Sequence, residues 1–181
     1  MKRALLVIDV QNEYFTGKLK VTYPDSNVSL ANIIKTMDYA KENNMPIIIV
    51  QHTSLSGETF VKGTKEWEIH SDILKKPYDY IIEKNKPSSF CGTNLEEILI
   101  KENVEGVVIT GYMTQMCCDT TAREAFHKDY AVEFLSDATG TIDVKNYVGT
   151  ISSRELHHAT LIAQSLRFSK VLSTKEWIDN I

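Results

Sequence analysis

Residues 105–127, EGVVITGYMTQMCCDTTAREAFH, carry the side chains best suited to chemistry. An apolar run, Val107, Val108 and Ile109, reaches Thr110 and Gly111. A short turn then delivers Cys117 and Cys118 to a segment with helical spacing. A strand, a glycine turn and a cysteine at a helix N-terminus suit a nucleophile, because the helix dipole and the free N–H groups of a first turn favour a thiolate. Free cysteines are more often plain packing residues, and this stretch alone does not decide between the two.

Two charged residues bear on the choice. Asp9 directly follows five apolar residues, and Lys84 closes the run Ile81-Ile82-Glu83. Burial near a sheet edge would be costly for either charge alone, and pairing them offsets the cost. The chemistry that suits such a set is acyl transfer through a thiolate. A helix N-terminus and Lys84 would lower the thiol pKa, so that iodoacetamide labels it faster than a model thiol at pH 6. Asp9 would accept the thiol proton and return it to a leaving amine. Backbone N–H groups before Cys117 would stabilise the tetrahedral oxyanion, each worth ~3 kcal/mol. From the residues alone, a structural ion pair beside a buried cysteine is an equal alternative.

The elements that must position these groups follow from the apolar pattern. Residues 4–8, 47–50, 78–82, 106–110, 131–135 and 171–172 read as six strands, several of them unbroken apolar runs that require cover on both faces. Between them, helical spacing marks residues 26–43, with Asp25 or Ser26 as cap, and residues 94–101, 117–128 and 148–166. In the last of these Leu156, Ala159, Ile162, Ala163 and Leu166 share one side, and Thr174 caps a final turn. Residues 11–25, 53–73 and 85–93 read as loops, the second long enough to serve as a lid. Such alternation predicts an α/β fold, a three-layer α/β/α sandwich around a six-stranded parallel sheet of order 3-2-1-4-5-6, with residues 1–181 as a single domain. All strands of a parallel sheet end on one edge, so Asp9, Gln51-His52, Lys84, the turn before Cys117 and Asp137 share it.

Composition excludes several classes. The 181 residues are 43% apolar and 24% charged, with a formal net charge of −4 and no basic cluster. That weighs against nucleic acid or an anionic membrane as partner. Three cysteines do not suggest a disulfide framework, and the N-terminal apolar run is too short for a signal peptide. A cytoplasmic protein acting on a small molecule is the expectation.

The motifs as a set resemble the isochorismatase-like cysteine hydrolase superfamily, which includes nicotinamidases and N-carbamoylsarcosine amidase. Asp9-Val10-Gln11-Asn12-Glu13 is similar to its D-x-Q-N-D/E opening. Lys84, with Pro87-Ser88-Ser89-Phe90 and Gly92-Thr93 behind it, resembles its lysine segment. Residues 111–117, GYMTQMC, resemble G-x-x-T-x-x-C, and Thr121 and Ala125 continue the pattern. The resemblance implies a catalytic set of Asp9, Lys84 and Cys117, with Cys118 as the small residue after the nucleophile. It also implies a cis peptide between Tyr112 and Met113 and an oxyanion hole from the amides of Met113 and Cys117. Pocket positions by the same resemblance are Gln11, Tyr14, Phe15, His52, Trp67, Phe90, Tyr112 and Met113. Asp137 and His157 take supporting roles, and a homodimer or homotetramer is expected.

One departure matters. Nicotinamidases of the superfamily hold a metal through an Asp-x-His pair after the second strand, and here Val50 stands two residues before His52. His52 and His70 alone make a poor zinc site, so no metal or other cofactor is expected. The sequence thus predicts metal-independent hydrolysis of a small amide or related C–N bond through a thioester. Vinyl-ether hydrolysis without the thiol, a non-catalytic binding domain, and a redox pair of Cys117 and Cys118 are the rivals.

Overall fold

The computed structural model describes residues 1–180. An unbroken apolar strand cannot leave one face in water, and β1 (Arg3–Ile8) is covered on both. Leu5 and Val7 enter one core beside Ile47, Ile49 and Val108. Ala4, Leu6 and Ile8 enter the other beside Ile48, Val50 and Ile109. β1 pairs in parallel with β2 (Ile47–His52) on one side and β4 (Gly106–Tyr112) on the other. With β3 (Tyr80–Lys84), β5 (Ala131–Gly140) and β8 (Lys170–Leu172), the six-stranded parallel sheet runs β3-β2-β1-β4-β5-β8. This is the α/β order expected from the sequence.

Helices α1 (Ser26–Glu42) and α6 (Thr174–Asp179) cover one face, and the short α2 (Ser71–Leu74) adds Ile73 to that core. Helices α3 (Leu95–Lys101), α4 (Asp119–His127) and α5 (Ser153–Arg167) cover the other. Asp25 caps α1 by accepting from the amide of Asn27 at 2.9 Å. None of the described helices is long and apolar enough to cross a membrane.

The structure corrects several expectations. Ser173, not Thr174, caps α6, through a reciprocal capping box with Glu176. Residues 148–152 are not helical. A small antiparallel ribbon, β6 (Val144–Lys145) and β7 (Thr150–Ile151), precedes α5, and Ser152 caps that helix with Glu155. The face of α5 is also inverted: Ser153, His157, Thr160, Leu161 and Gln164 are buried, while Ile162 and Leu166 face solvent.

Where β1 meets β4, Gly111 has φ +108° and lies opposite Ile8. A Cβ there would sit 1.9 Å from the carbonyl oxygen of Ile8, so any side chain would force the two strands apart. The glycine lets β4 approach β1 at the point where the chain turns toward Cys117.

Candidate active site

Parallel strands place their carboxyl ends on one edge, and the charged residues gather there. Asp9 follows β1 with φ +52°, a left-handed conformation that Asp and Asn tolerate better than most residues. His52 ends β2 and Lys84 ends β3, paired to one another in register. The Lys84 ammonium lies 2.7 Å from Oδ2 of Asp9, with both side chains wholly buried. It also donates to Sγ of Cys117 at 3.2 Å and to Nδ1 of His52 at 3.2 Å. An ammonium has three N–H groups, and Asp9, Cys117 and His52 take all three. Because Nδ1 of His52 accepts, the ring proton resides on Nε2. Burial first, and then Lys84, lowers the pKa of His52, which keeps the ring neutral.

Cys117 is 7% exposed. It lies in a wide turn, Thr114–Cys118, wound by the carbonyl of Met113, which accepts from Met116 at 3.0 Å and Cys118 at 3.3 Å. The peptide bond between Tyr112 and Met113 is cis. Two side chains of α5 hold this turn. His157 accepts at Nδ1 from Oγ1 of Thr114 at 2.8 Å and donates from Nε2 to the carbonyl of Ser136 at 3.0 Å. The carbonyl can only accept, which fixes the tautomer. Gln164 donates to Oδ1 of Asp119 at 2.7 Å, just past the turn. On the other flank, Thr121 of α4 accepts from the amide of Ser89 and donates to its hydroxyl, both at 3.0 Å, and Glu124 accepts from Ser88. These bonds anchor the loop that follows Lys84.

The expected depression of the Cys117 thiol is overturned. Burial pushes its pKa up, the Asp9 carboxylate adds to the rise, and Lys84 opposes both without prevailing. Burial by itself would lower Lys84, but Asp9 and Cys117 outweigh it and hold the ammonium above its ordinary value. The resting site is therefore a neutral thiol beside a carboxylate–ammonium pair. Peptide mapping after brief iodoacetamide treatment at pH 6 should find Cys117 modified more slowly than a model thiol. Faster labelling would show that the charge balance is the reverse. Cys91, exposed on the loop after Lys84, provides an internal reference in the same digest.

Burial pushes His157 down to about 4 from the ordinary 6.5. The unfolded chain binds that proton more readily than the folded one, so the contribution to stability is complete above about pH 6.5 and is lost as pH falls toward 4. Thermal melts across that window should show a steeper acid decline for the wild type than for His157→Gln. Parallel curves would remove His157 from the account.

The pocket residues divide. Phe15, His52, Trp67 and Met113 are half-buried near the edge, whereas Tyr14 and Phe90 have almost no free surface. Gln11 and Tyr112 are fully buried, as is Asp9, and each has structural partners of its own. Gln11 accepts from the amide of His52 and donates to the carbonyls of His52 and Trp67, clamping β2 to the long loop. Tyr112 is bonded through its hydroxyl to Ser29 of α1 at 2.8 Å, in the core on the other face of the sheet. Phe60 was not foreseen. Its ring meets His52 edge-on at 5.2 Å and Tyr14 at 5.3 Å, but it sits in an aperiodic loop where no pattern marks it. His70 accepts from the amide of Asp72 as the cap of α2, and its ring packs on Phe15. Among the described residues, no three His, Cys, Asp or Glu side chains are arranged to share a metal ion.

The sequence matches the isochorismatase domain family model over residues 3–176. The chain belongs to the isochorismatase family. A crystal structure of a family protein from Burkholderia xenovorans LB400 superposes with a TM-score of 0.96 at 42% identity, covering 98% of this chain and 86% of that one. Nicotinamidase 3 of Arabidopsis thaliana is 34% identical over 180 residues, 92% of this chain and 82% of its own. The secreted isochorismatase effector Isc1 of Verticillium dahliae is 32% identical over 173 residues, 95% of this chain and 88% of its own. The protein is thus a hydrolase of the isochorismatase family, with amidases among its relatives.

Proposed function

We propose that the protein hydrolyses a C–N bond of a small amide through a thioester on Cys117, or of a related ureido compound through the corresponding S-thiocarbamate, with no metal in the reaction. The observation that carries this reading is the buried contact of one ammonium with Asp9 at 2.7 Å and Cys117 at 3.2 Å. A carboxylate and a thiol sharing one lysine form a proton-transfer unit. The carboxylate takes the thiol proton as Sγ bonds to the carbonyl carbon. It then returns that proton to the nitrogen as the C–N bond breaks. Water, deprotonated by Asp9, displaces the sulfur from the thioester, and the thiol regains its proton as the acid leaves. Lys84 orients Asp9 through the ion pair and balances the thiolate while it exists. Neither carboxylate oxygen of Asp9 has a hydrogen-bond partner beyond the ion pair of Oδ2 with Lys84, which leaves Oδ1 to accept from the thiol or from a substrate N–H.

The amides of Met113 and Cys117, on the turn that opens α4, are the donors we assign to the oxyanion. The thiol's raised pKa supports proton transfer during attack rather than a preformed thiolate. An ammonia-release screen over small amides, ureido acids and nicotinamide, with Cys117→Ala as control, tests the reading. The expected result is ammonia from at least one class and none with the control. No release from any class, from protein shown to be folded, would count against amide hydrolysis.

A further inference from the structure

The three N–H groups of Lys84 point at Asp9, Cys117 and His52, and the reaction proposed above uses only the first two contacts. A lysine ammonium sits on a flexible four-carbon stem and rotates its donors freely. Held by Asp9 and Cys117 alone, it would swing toward the carboxylate, the stronger attraction, and away from the sulfur. The contact with Nδ1 of His52 at 3.2 Å is a third support, and three directions fix a tetrahedral nitrogen.

His52 is itself firmly held. Its amide donates to Oε1 of the buried Gln11 at 2.8 Å, and its carbonyl accepts from Nε2 of the same side chain at 2.9 Å. Phe60 backs the ring edge-on at 5.2 Å and rests in turn on Tyr14. Pairing of His52 with Lys84 across β2 and β3 brings both side chains out at one level of the sheet edge. None of these supports depends on the charge of the ring, but the contact with Lys84 does. Nε2 carries the proton of the neutral ring, so a second proton has to be added at Nδ1, the atom that faces the ammonium. Two donors and two positive charges would then meet where an acceptor stood, and the contact would open. The charged groups facing the ring are Lys84 on β3 and Asp9 after β1. Phe60, from the loop after β2, is apolar, and the thiol of Cys117 beyond Lys84 is neutral. Burial, and then Lys84, oppose protonation of the ring, and Asp9 only partly offsets them.

We propose that His52 is a positioning residue of the reaction: its neutral imidazole holds Lys84 in the one direction that serves Asp9 and Cys117 together, and the site works only while that ring is unprotonated. The inference rests on the amide-hydrolysis reading of the site and adds to it a residue that never touches the reacting atoms but sets the acid limit of activity.

Two measurements on the full chain test it. In histidine-selective 15N spectra, with the His52 signal identified by its loss in His52→Asn, the ring should carry its proton on Nε2 and titrate below the ordinary 6.5. For the amide that the ammonia screen identifies, kcat and KM are then followed against pH in the wild type, His52→Phe and His52→Asn. His52→Phe keeps a flat ring against Phe60 but removes the acceptor. Its kcat should fall roughly tenfold, the loss of one hydrogen bond to a charged donor, with KM little changed. His52→Asn, whose side-chain oxygen replaces Nδ1 as acceptor, should recover most of that loss. Wild-type kcat should decline through the midpoint found in the spectra, and neither variant should show that limb. A proton on Nδ1, full kcat in His52→Phe, or the same acid limb in all three proteins would each overturn the inference. Failure of the amide reading would appear differently, as no ammonia from any class, and the spectra would still decide the contact between His52 and Lys84.

Discussion

Replacing Cys117 with alanine should lower amide hydrolysis by a factor on the order of 10⁴ to 10⁶, with the fold unchanged. The side chain accepts from Lys84 and lies beside Asp9, and removing its sulfur leaves only a small space in a well-packed core. Stability should therefore change by about 1 kcal/mol or less, and any lost activity is lost chemistry. Cys118→Ala is the companion control. Cys118 is wholly buried one residue on, and its variant should retain most of the activity. Initial rates of ammonia release on both variants, with melts to verify folding, make the comparison. Vinyl-ether hydrolysis without the thiol predicts the opposite pattern, in which Cys117→Ala stays active. A redox pair would need both cysteines, so equal loss in both variants would point there.

The second large effect concerns the buried ion pair. Lys84→Met leaves the buried Asp9 without its cation, and Asp9→Asn leaves the buried Lys84 without its anion. Each should destabilise the protein by roughly 3–5 kcal/mol, because the orphaned charge retains its desolvation penalty. Asparagine also tolerates the left-handed backbone at residue 9, so strain does not confuse the result. The double variant Asp9→Asn/Lys84→Met should recover most of the stability and none of the activity. That split matters because a purely structural ion pair predicts that stability and activity recover together. Denaturant melts and initial rates on the three variants measure both quantities, and additive destabilisation would show that the two charges are not coupled.

Much of the architecture was legible because a few residues constrain it strongly. Five apolar residues before Asp9 allow only a strand covered on both faces. The runs at Ile47 and Val107 repeat that condition, which makes a parallel sheet with its polar residues at one edge hard to avoid. That Asp9, Lys84 and Cys117 share one sheet edge followed from the parallel strands, and their grouping as a set from the family resemblance. Their protonation did not, because burial is a property of the packed molecule and in this site it outweighs Lys84.

Helix α5 was misread for a related reason. Its apolar spacing is real, but the inner face is held by hydrogen bonds from His157 and Gln164, and a hydrophobicity pattern cannot detect those. Sequence position gives a residue's neighbourhood and not its exposure, so the full burial of Gln11 and Tyr112 was not legible. His52 was placed beside the site, but its bond to Lys84 depends on the register of β2 against β3.

The most direct test of the central claim is intact-protein and peptide mass spectrometry of acid-quenched turnover, using the amide that the ammonia screen identifies. During steady state a fraction of the protein should carry the mass of the acyl group, confined to the peptide containing Cys117 and absent from Cys117→Ala. Active wild-type protein that carries no adduct at any quench time, together with a Cys117→Ala variant that still turns over, would contradict a thioester on Cys117.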